Sequence, residues 1–403
     1  MKALQFVARL VIFGLILALG TTAALVAGES QGLALASLSN TSVQAVARAS
    51  QSSGLYVALD GGAQPSGIYR SEDNGMTWRL VSSGPGLALK ALAVHPTQPS
   101  VVYAGTNGGP AINTASLWRS DDGGVTWHRF TVGMPADAYG NVPAVTALAV
   151  NPSEPNALYV GTAGQGVYRF DVQRNSYELV GGISMASAHV RSLVIGPQNR
   201  LYAITSQGAF FTDGAAWQPL ARLPEQPASL AVAPDDPQTL FIGGTSTGIY
   251  RSTDGAATWE LAGEGITVLP GASLRVTALA VDAQDGNRVV AATALGVGSR
   301  LIGDALYQSE NNGASWSKVA ELQGIVNQLA VEGGVIYAGG DKGLARYGAP
   351  AEPAPSRLAG FDWAGLSNPT GVQVLILVLT IGLAGMALIW RRDWLVRRSQ
   401  RTC

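Results

Sequence analysis

Cysteine is almost missing from this chain: the one cysteine among 403 residues is Cys403, the last residue. No disulfide within the chain can therefore hold the fold together. Histidine is nearly as rare, and His95, His128 and His189 are too scattered to form a metal-ligand set, so we expect neither a metal nor a cofactor. Charged residues make up only 13% of the chain, against roughly 25% in a typical soluble domain.

Glycine and proline, in contrast, are abundant, with 50 and 20 residues. This composition argues against a coiled coil, a disordered chain or a helix bundle, and it favours many strands joined by tight turns. Basic residues are concentrated at the two ends, and residues 28–390 hold 19 basic and 26 acidic residues. An acidic middle segment makes nucleic acid an unsuitable partner.

The N-terminus has the pattern of a secretory signal. Lys2 and Arg9 precede an uncharged run from Leu10 to Ala27, with small residues near its end. The run is close to the roughly 17-residue lower limit for crossing a bilayer, so residues 1–27 are predicted to be a cleaved signal peptide or a retained signal anchor. Both alternatives stay open.

A second apolar segment, Val372–Trp390, contains no charged residue and is followed by five arginines. Its length predicts a transmembrane helix, and the arginines predict a cytoplasmic C-terminus with the preceding chain outside the cell membrane. The protein would cross once, or twice if the N-terminal segment is retained. The predicted organisation is a signal or anchor at 1–27, a repeat domain at 28–348, a Pro/Ala-rich stalk at 349–370, a transmembrane helix at 371–390 and a basic tail at 391–403.

The middle of the chain is built from repeats. Each begins with a strand of the form x-A-L-A-V, as in Lys90–Val94, Thr146–Val150 and Thr277–Val281. A turn, a second strand ending in small residues, a third strand and a tryptophan-bearing fourth strand follow. The units start near Ser42, Ala88, Ala144, His189, Pro227, Arg275 and Ile325.

The turn before the fourth strand carries the motif S-x-D-x-G-x-x-W, in which Asp and Ser accept N–H groups of their own turn and Trp packs between sheets. We expect its residues to have a structural role: Ser71, Asp73, Gly75 and Trp78; Ser120, Asp122, Gly124 and Trp127; Asp213 and Trp217; Ser252, Asp254 and Trp259; and Ser309, Asn311, Gly313 and Trp316.

This motif resembles the Asp-box, or bacterial neuraminidase repeat, of sialidase, sortilin-type and photosystem II assembly factor propellers. The resemblance implies an all-β fold, a seven-bladed β-propeller, and six or eight blades stay open. The seventh unit has only three strands, and we expect Gly32–Leu38 to supply the fourth.

Aligning the first strands places one residue of each unit at the same position near the central channel. Six of these seven are polar and form a candidate ligand-binding ring: Gln44, Lys90, Thr146, Arg191, Thr277 and Asn327, with Ala228 as the seventh member. Lys90 and Arg191 suit an acidic ligand group, but the favoured interpretation is that these polar residues are only the solvated lining of the channel.

The predicted function is a non-catalytic module that binds a protein or peptide, or assists assembly of a membrane complex, outside the cell membrane. The alternative is a sialidase-like glycoside hydrolase or a carbohydrate-binding protein. Against that alternative, the Arg-Ile-Pro sequence of sialidases is absent, since Gly67–Arg70 precedes the first box. We therefore expect no enzymatic activity and no catalytic residues.

Overall fold

A computed structural model describes residues 33–348 except 49–53, 85–87, 111–115, 131–133, 135, 138 and 182–186. The predicted signal segment, stalk, transmembrane helix and basic tail lie outside these residues. Within the described ranges, no helix is long and apolar enough to cross a bilayer.

Alternating strands and glycine-rich turns form seven antiparallel sheets, which we call blades 1 to 7 in chain order. The strands of the first four blades run, from the inside outward, as follows: blade 1, β2 (Thr41–Arg48), β3 (Leu55–Gly62), β4 (Gly67–Ser71) and β5 (Thr77–Ser82); blade 2, β6 (Leu89–Val94), β7 (Val102–Thr106), β9 (Leu117–Ser120) and β10 (His128–Arg129); blade 3, β12 (Val145–Asn151), β13 (Glu154–Thr162), β14 (Val167–Asp171) and β15 (Ser176–Leu179); blade 4, β16 (Val190–Ile195), β17 (Leu201–Thr205), β18 (Gly208–Thr212) and β19 (Gln218–Pro219).

The last three blades continue the same order of strands: blade 5, β20 (Pro227–Val232), β21 (Leu240–Gly244), β22 (Ile249–Ser252) and β23 (Glu260–Leu261); blade 6, β24 (Ser273–Asp282), β25 (Asp285–Val297), β26 (Arg300–Ser309) and β27 (Ser317–Glu321); blade 7, β28 (Val326–Glu332), β29 (Val335–Gly340) and β30 (Gly343–Tyr347). Short strands β8 (Gly109–Pro110) and β11 (Asn141–Val142) pair with each other beside blades 2 and 3. Two 3-10 turns span Leu35–Leu38 and Pro197–Asn199.

The innermost strands contact one another in the order β2, β6, β12, β16, β20, β24 and β28, and β28 returns to β2. The blades therefore close into a ring around a central channel, which confirms the seven-bladed β-propeller. Seven apolar clusters fill the spaces between neighbouring blades, one for each interface. The hydrophobic core is therefore divided among the seven interfaces between blades.

The expected closure of blade 7 by Gly32–Leu38 is wrong. Strand β1 (Leu33–Ala34) pairs with β5 and extends the outer edge of blade 1, while blade 7 has three described strands. Leu38 is fully buried in the cluster between blades 7 and 1. Only Leu33–Ala34 is an extended strand, which pairs with β5, because a 3-10 turn follows at Leu35–Leu38 and leaves Leu38 at the closing interface.

The chain direction gives the ring two different faces. Every innermost strand leads to a turn on the face that carries the Asp-boxes, where the N–H groups of Gly123 and Gly255 donate to carbonyls of the neighbouring turn. We call this the box face. The links between blades and the turns between second and third strands lie on the opposite side, which we call the loop face.

Candidate functional site

The Asp-box side chains make the turn hydrogen bonds that the motif predicts. In blade 2 the Ser120 hydroxyl accepts the Gly124 N–H at 2.8 Å and donates to Asp122 at 2.8 Å. Asp122 also accepts the N–H of Thr126 at 2.9 Å and its hydroxyl at 2.6 Å. These Thr126 hydrogen bonds lower the pKa of Asp122 to about 2, since they stabilise the carboxylate form.

The box tryptophans connect neighbouring blades. Trp78 is 1% exposed and lies between blades 7 and 1. The indole N–H of Trp217 donates to the carbonyl of Val180 in the link from blade 3, and that of Trp316 donates to Ala262 after blade 5. In the degenerate unit of blade 3, Tyr177 replaces the tryptophan and packs against Phe130 and Phe170.

Asp213 departs from the expected turn role. Its carboxylate pairs with Arg200 of the preceding strand connection at 2.7 Å, and the Gly214 N–H is accepted by the Thr212 hydroxyl instead. The box of blade 4 is one residue short, so the carboxylate does not reach the backbone donors that Asp122 reaches. Asp213 therefore belongs to an exposed ion pair.

The seven aligned channel positions share a feature that the sequence does not display. In each innermost strand the register of pairing shifts at this residue, so Gln44, Lys90, Thr146, Arg191, Ala228, Thr277 and Asn327 are all bulge residues. A β-bulge leaves its residue without a cross-strand partner and redirects the side chain. Repeated around the ring, it directs these positions to the loop-face mouth of the channel.

Six of the seven bulge residues line one cavity of about 320 Å³: Lys90, Thr146, Arg191, Ala228, Thr277 and Asn327. Gln44 is not part of its lining, and its amide donates to the Ser42 hydroxyl at 2.9 Å. Two residues further along each strand, Val46, Leu92, Leu148, Leu193, Leu230, Leu279 and Leu329 form an apolar floor. The cavity is thus a polar ring above a ring of leucines.

The two threonines of the ring have structural partners. The Thr146 hydroxyl donates to the Val190 carbonyl of the next blade at 2.6 Å, and the Thr277 hydroxyl donates in the same way to Val326. Lys90, Arg191 and Asn327 are exposed to the cavity. The ring therefore divides into residues that join blades and residues that face the solvent of the channel.

The opposite mouth of the channel, on the box face, is lined by different residues. A cavity of about 630 Å³ there is lined by Arg48 of blade 1 and Glu332 of blade 7, which form an ion pair across the closing interface. Tyr337 adds a hydroxyl that donates to the Asn74 carbonyl at 2.8 Å. These contacts join the first blade to the last beside this cavity.

Two carboxylates on the loop face were not identified from the sequence. Asp60 and Asp341 both lie four residues after the repeated tyrosine of a second strand, in ALDGG and AGGDKG. Between their strand ends runs Asn40, whose N–H donates to the Lys342 carbonyl at 2.8 Å and whose carbonyl accepts the Ala63 N–H at 3.3 Å. Two strand spacings, about 10 Å, therefore separate the backbones of Lys342 and Ala63. Only blades 1 and 7 have Asp at this register position, so a comparison of all seven units would have identified both residues.

Comparison with known proteins gives relatives that are glycosidases by name. The chain is 27% identical over 281 residues to a xyloglucanase of Paenibacillus sp, covering 64% of this chain and 24% of that protein. It is 27% identical over 289 residues to a xyloglucanase of Hypocrea jecorina (strain QM6a), covering 66% of this chain and 32% of that protein. The chain thus spans between about a quarter and a third of these relatives. No family model matches it.

Solved structures show the same fold. The crystal structure of AFV00434, an ancestral GH74 enzyme, aligns with a TM-score of 0.56 and 16% identity over 79% of this chain and 46% of that chain. YCF48 from Cyanidioschyzon merolae aligns with a TM-score of 0.56 and 13% identity over 79% of this chain and 98% of that chain. At these identities the likeness concerns the fold alone.

The expectation of a non-catalytic binding or assembly module is wrong, and so is the expectation that the protein is not an enzyme. The similarity to xyloglucanases contradicts both and favours the alternative, a glycoside hydrolase. The propeller fold that the Asp-box resemblance implies is confirmed, since these neighbours share it. This chain carries a seven-bladed Asp-box β-propeller whose structural neighbours include a GH74 enzyme and the YCF48 propeller.

Proposed function

We propose that this propeller is part of a glycoside hydrolase and acts on a xyloglucan-type polysaccharide. The observation that carries the proposal is the 27% identity to xyloglucanases over about two thirds of the chain. Because the chain covers only part of those relatives, activity and substrate are transferred here as a proposal.

Asp60 and Asp341 are the residues that we assign to the reaction. Hydrolysis of a glycosidic bond uses two carboxyl groups, which in inverting enzymes lie about 6.5–9.5 Å apart to leave room for a water molecule. Asp341 directly precedes Lys342 and Asp60 lies three residues before Ala63, and the backbones of Lys342 and Ala63 are about 10 Å apart on the two sides of Asn40. The proposal is therefore an inverting mechanism on the loop face beside blades 1 and 7.

The contacts of the two carboxylates differ and suggest separate roles. One oxygen of Asp341 accepts the Ile325 N–H at 2.8 Å, which fixes the group and leaves its second oxygen for a water molecule, as a general base requires. Asp60 is exposed, so its carboxyl group is accessible to the leaving-group oxygen of a bound saccharide. Asp60 is accordingly the proposed general acid.

A second feature of the loop face suits a saccharide. Tyr139 is 89% exposed in the link between blades 2 and 3. Asp137 orders this link by accepting the N–H groups of Tyr139 at 2.9 Å and Asn141 at 2.8 Å. An aromatic ring displayed on an ordered turn offers a flat apolar surface with a polar edge, which matches the face of a sugar ring.

The test is release of reducing ends from xyloglucan by the full-length protein. We expect activity in the unaltered protein and a loss of roughly 100-fold or more in kcat for Asp60→Asn and for Asp341→Asn. Asp235→Asn, an exposed carboxylate on the box face, is the matched control and should retain activity. No release above background would refute the assignment as a hydrolase, and full activity in both variants would refute the assigned pair.

The location of the propeller outside the cell membrane, with a cytoplasmic C-terminus, stays a prediction that we also propose. It rests on the apolar segment Val372–Trp390 and the arginines after it. Protease added to intact cells should remove the propeller and spare a C-terminal epitope; a protected propeller would contradict it. The protein or peptide partner expected from the sequence likewise stays a prediction.

A further inference from the structure

The loop-face mouth of the channel holds two cationic side chains, Lys90 and Arg191. Eight of the fifteen arginines among the described residues form ion pairs: Arg48, Arg70, Arg119, Arg169, Arg174, Arg200, Arg251 and Arg288. Among the same described residues, no carboxylate lies within ion-pair distance of Lys90 or Arg191. Two cations are thus left facing one cavity without a partner.

The fold places both cations close to the axis of the central channel. Both occupy bulge positions, in blade 2 and blade 4, and blade 3 between them contributes Thr146. Both side chains are exposed and both line the cavity of about 320 Å³. Because a concave site with low-dielectric walls concentrates the field of its charges, two unpaired cations there attract an anion more strongly than the same pair on an open surface.

The remaining walls define what else the ligand carries. The exposed amide of Asn327 in blade 7 faces the cavity and can donate to or accept from a hydroxyl. Below the ring, leucines such as Leu148 and Leu279 form an apolar floor. The volume is at the lower end of the 300–1,000 Å³ range of ligand pockets. The cavity therefore suits one ring that combines a carboxylate, hydroxyls and an apolar face.

We propose that the ring formed by Lys90, Arg191 and Asn327 is a binding site for the uronic acid residue of an acidic saccharide, a proposal that rests on the assignment of this propeller to saccharide substrates. Lys90 and Arg191 hold the carboxylate through charge-assisted hydrogen bonds. Asn327 contacts a ring hydroxyl, and the leucine floor supports the apolar face of the sugar.

The test compares two ligands that differ only in the carboxylate. Methyl β-glucuronide and methyl β-glucoside are titrated into the full-length protein, and the Kd is measured by NMR line broadening or calorimetry. We expect the glucuronide to bind at least tenfold more tightly than the glucoside, and its affinity to fall as salt is added. Equal affinities of the two ligands would overturn the proposal.

The variant that tests the ring is Lys90→Gln/Arg191→Gln. It should weaken glucuronide binding about tenfold or more without changing the Tm, since neither side chain packs between blades. The matched control, Arg79→Gln/Arg300→Gln, removes the same charge from exposed positions outside the cavity and should bind as the unaltered protein does. Equal weakening by both double variants would show a general charge effect and overturn the site.

Two further outcomes separate this proposal from its neighbours. Inorganic phosphate binding as tightly as the glucuronide would show a simple anion site and overturn the assignment to a saccharide. Glucuronide binding without hydrolysis of xyloglucan would refute the proposed reaction and leave the site intact. Hydrolysis without glucuronide binding would refute the site alone.

Discussion

Truncation of Trp78 to alanine tests the physical basis of ring closure. Trp78 is 1% exposed and packs between blades 7 and 1, among Leu38, Tyr69 and Tyr337. This interface joins blade 7, whose described strands are β28, β29 and β30, to blade 1 and so closes the ring. The indole N–H of Trp78 donates to the Gly75 carbonyl at 3.1 Å.

The expected cost follows from what the truncation removes. Burial of a tryptophan and the cavity left by its loss are worth about 3–5 kcal/mol in comparable Trp→Ala changes. The hydrogen bond to Gly75 contributes about 1 kcal/mol of net stability and is part of that total. For a domain of this size each kcal/mol shifts the Tm by roughly 2 °C, so we expect Trp78→Ala to lower the Tm by about 6–10 °C.

Equilibrium urea unfolding measures this cost, with the midpoint and slope compared between the unaltered protein and the variant. Trp127→Ala is the matched control, because Trp127 makes the equivalent hydrogen bond to Gly124 at 2.9 Å but is only half-buried. It should cost less than Trp78→Ala. A loss below 1 kcal/mol for Trp78→Ala, or a larger loss for Trp127→Ala, would refute the view that the closing interface depends on this ring.

Two further predictions concern the repeats. Hydrogen bonds from Thr126 lower the pKa of Asp122 from 3.8 to about 2, and hydrogen bonds from Thr258 lower the pKa of Asp254 to the same value. A carboxyl group whose pKa is lower in the folded state stabilises the fold above its unfolded-state pKa. The Tm should therefore fall as the pH drops from about 4 to 2. Asp122→Asn should fold, since Asn311 fills the same position and accepts the Ser315 N–H at 2.9 Å, and should flatten that acid dependence; an unchanged pH profile of Tm would argue against the cause assigned here. Gly161→Ala should destabilise by about 1–3 kcal/mol, measured by urea unfolding, because the new Cβ would lie 2.6 Å from Cγ1 of Val190 on the next inner strand. Gly164→Ala, with open space around the Cβ but a positive φ, measures the cost of backbone strain without crowding; unchanged stability of Gly161→Ala would contradict the crowding argument.

Much of the architecture is local in origin and was therefore readable from the sequence. The x-A-L-A-V strands, the small residues of the second strands and the boxes recur in register, so blade number, strand order and turn hydrogen bonds could be predicted. The box depends on contacts within eight residues, such as Ser120 with Asp122 and Gly124. The equivalent channel positions followed from the same alignment, because repeated units place repeated positions on the ring axis.

Only the tertiary structure decided what depends on contacts between distant parts of the chain. The expected strand at Gly32–Leu38 does not complete blade 7, because Leu33–Ala34 pairs with β5 of blade 1, a contact across more than 40 residues that no local pattern records. The bulges at Lys90 and Arg191 depend on register against a partner strand, which composition does not reveal. Asp60 and Asp341 are 281 positions apart in the sequence and become neighbours only because the ring closes, bringing blade 7 against blade 1.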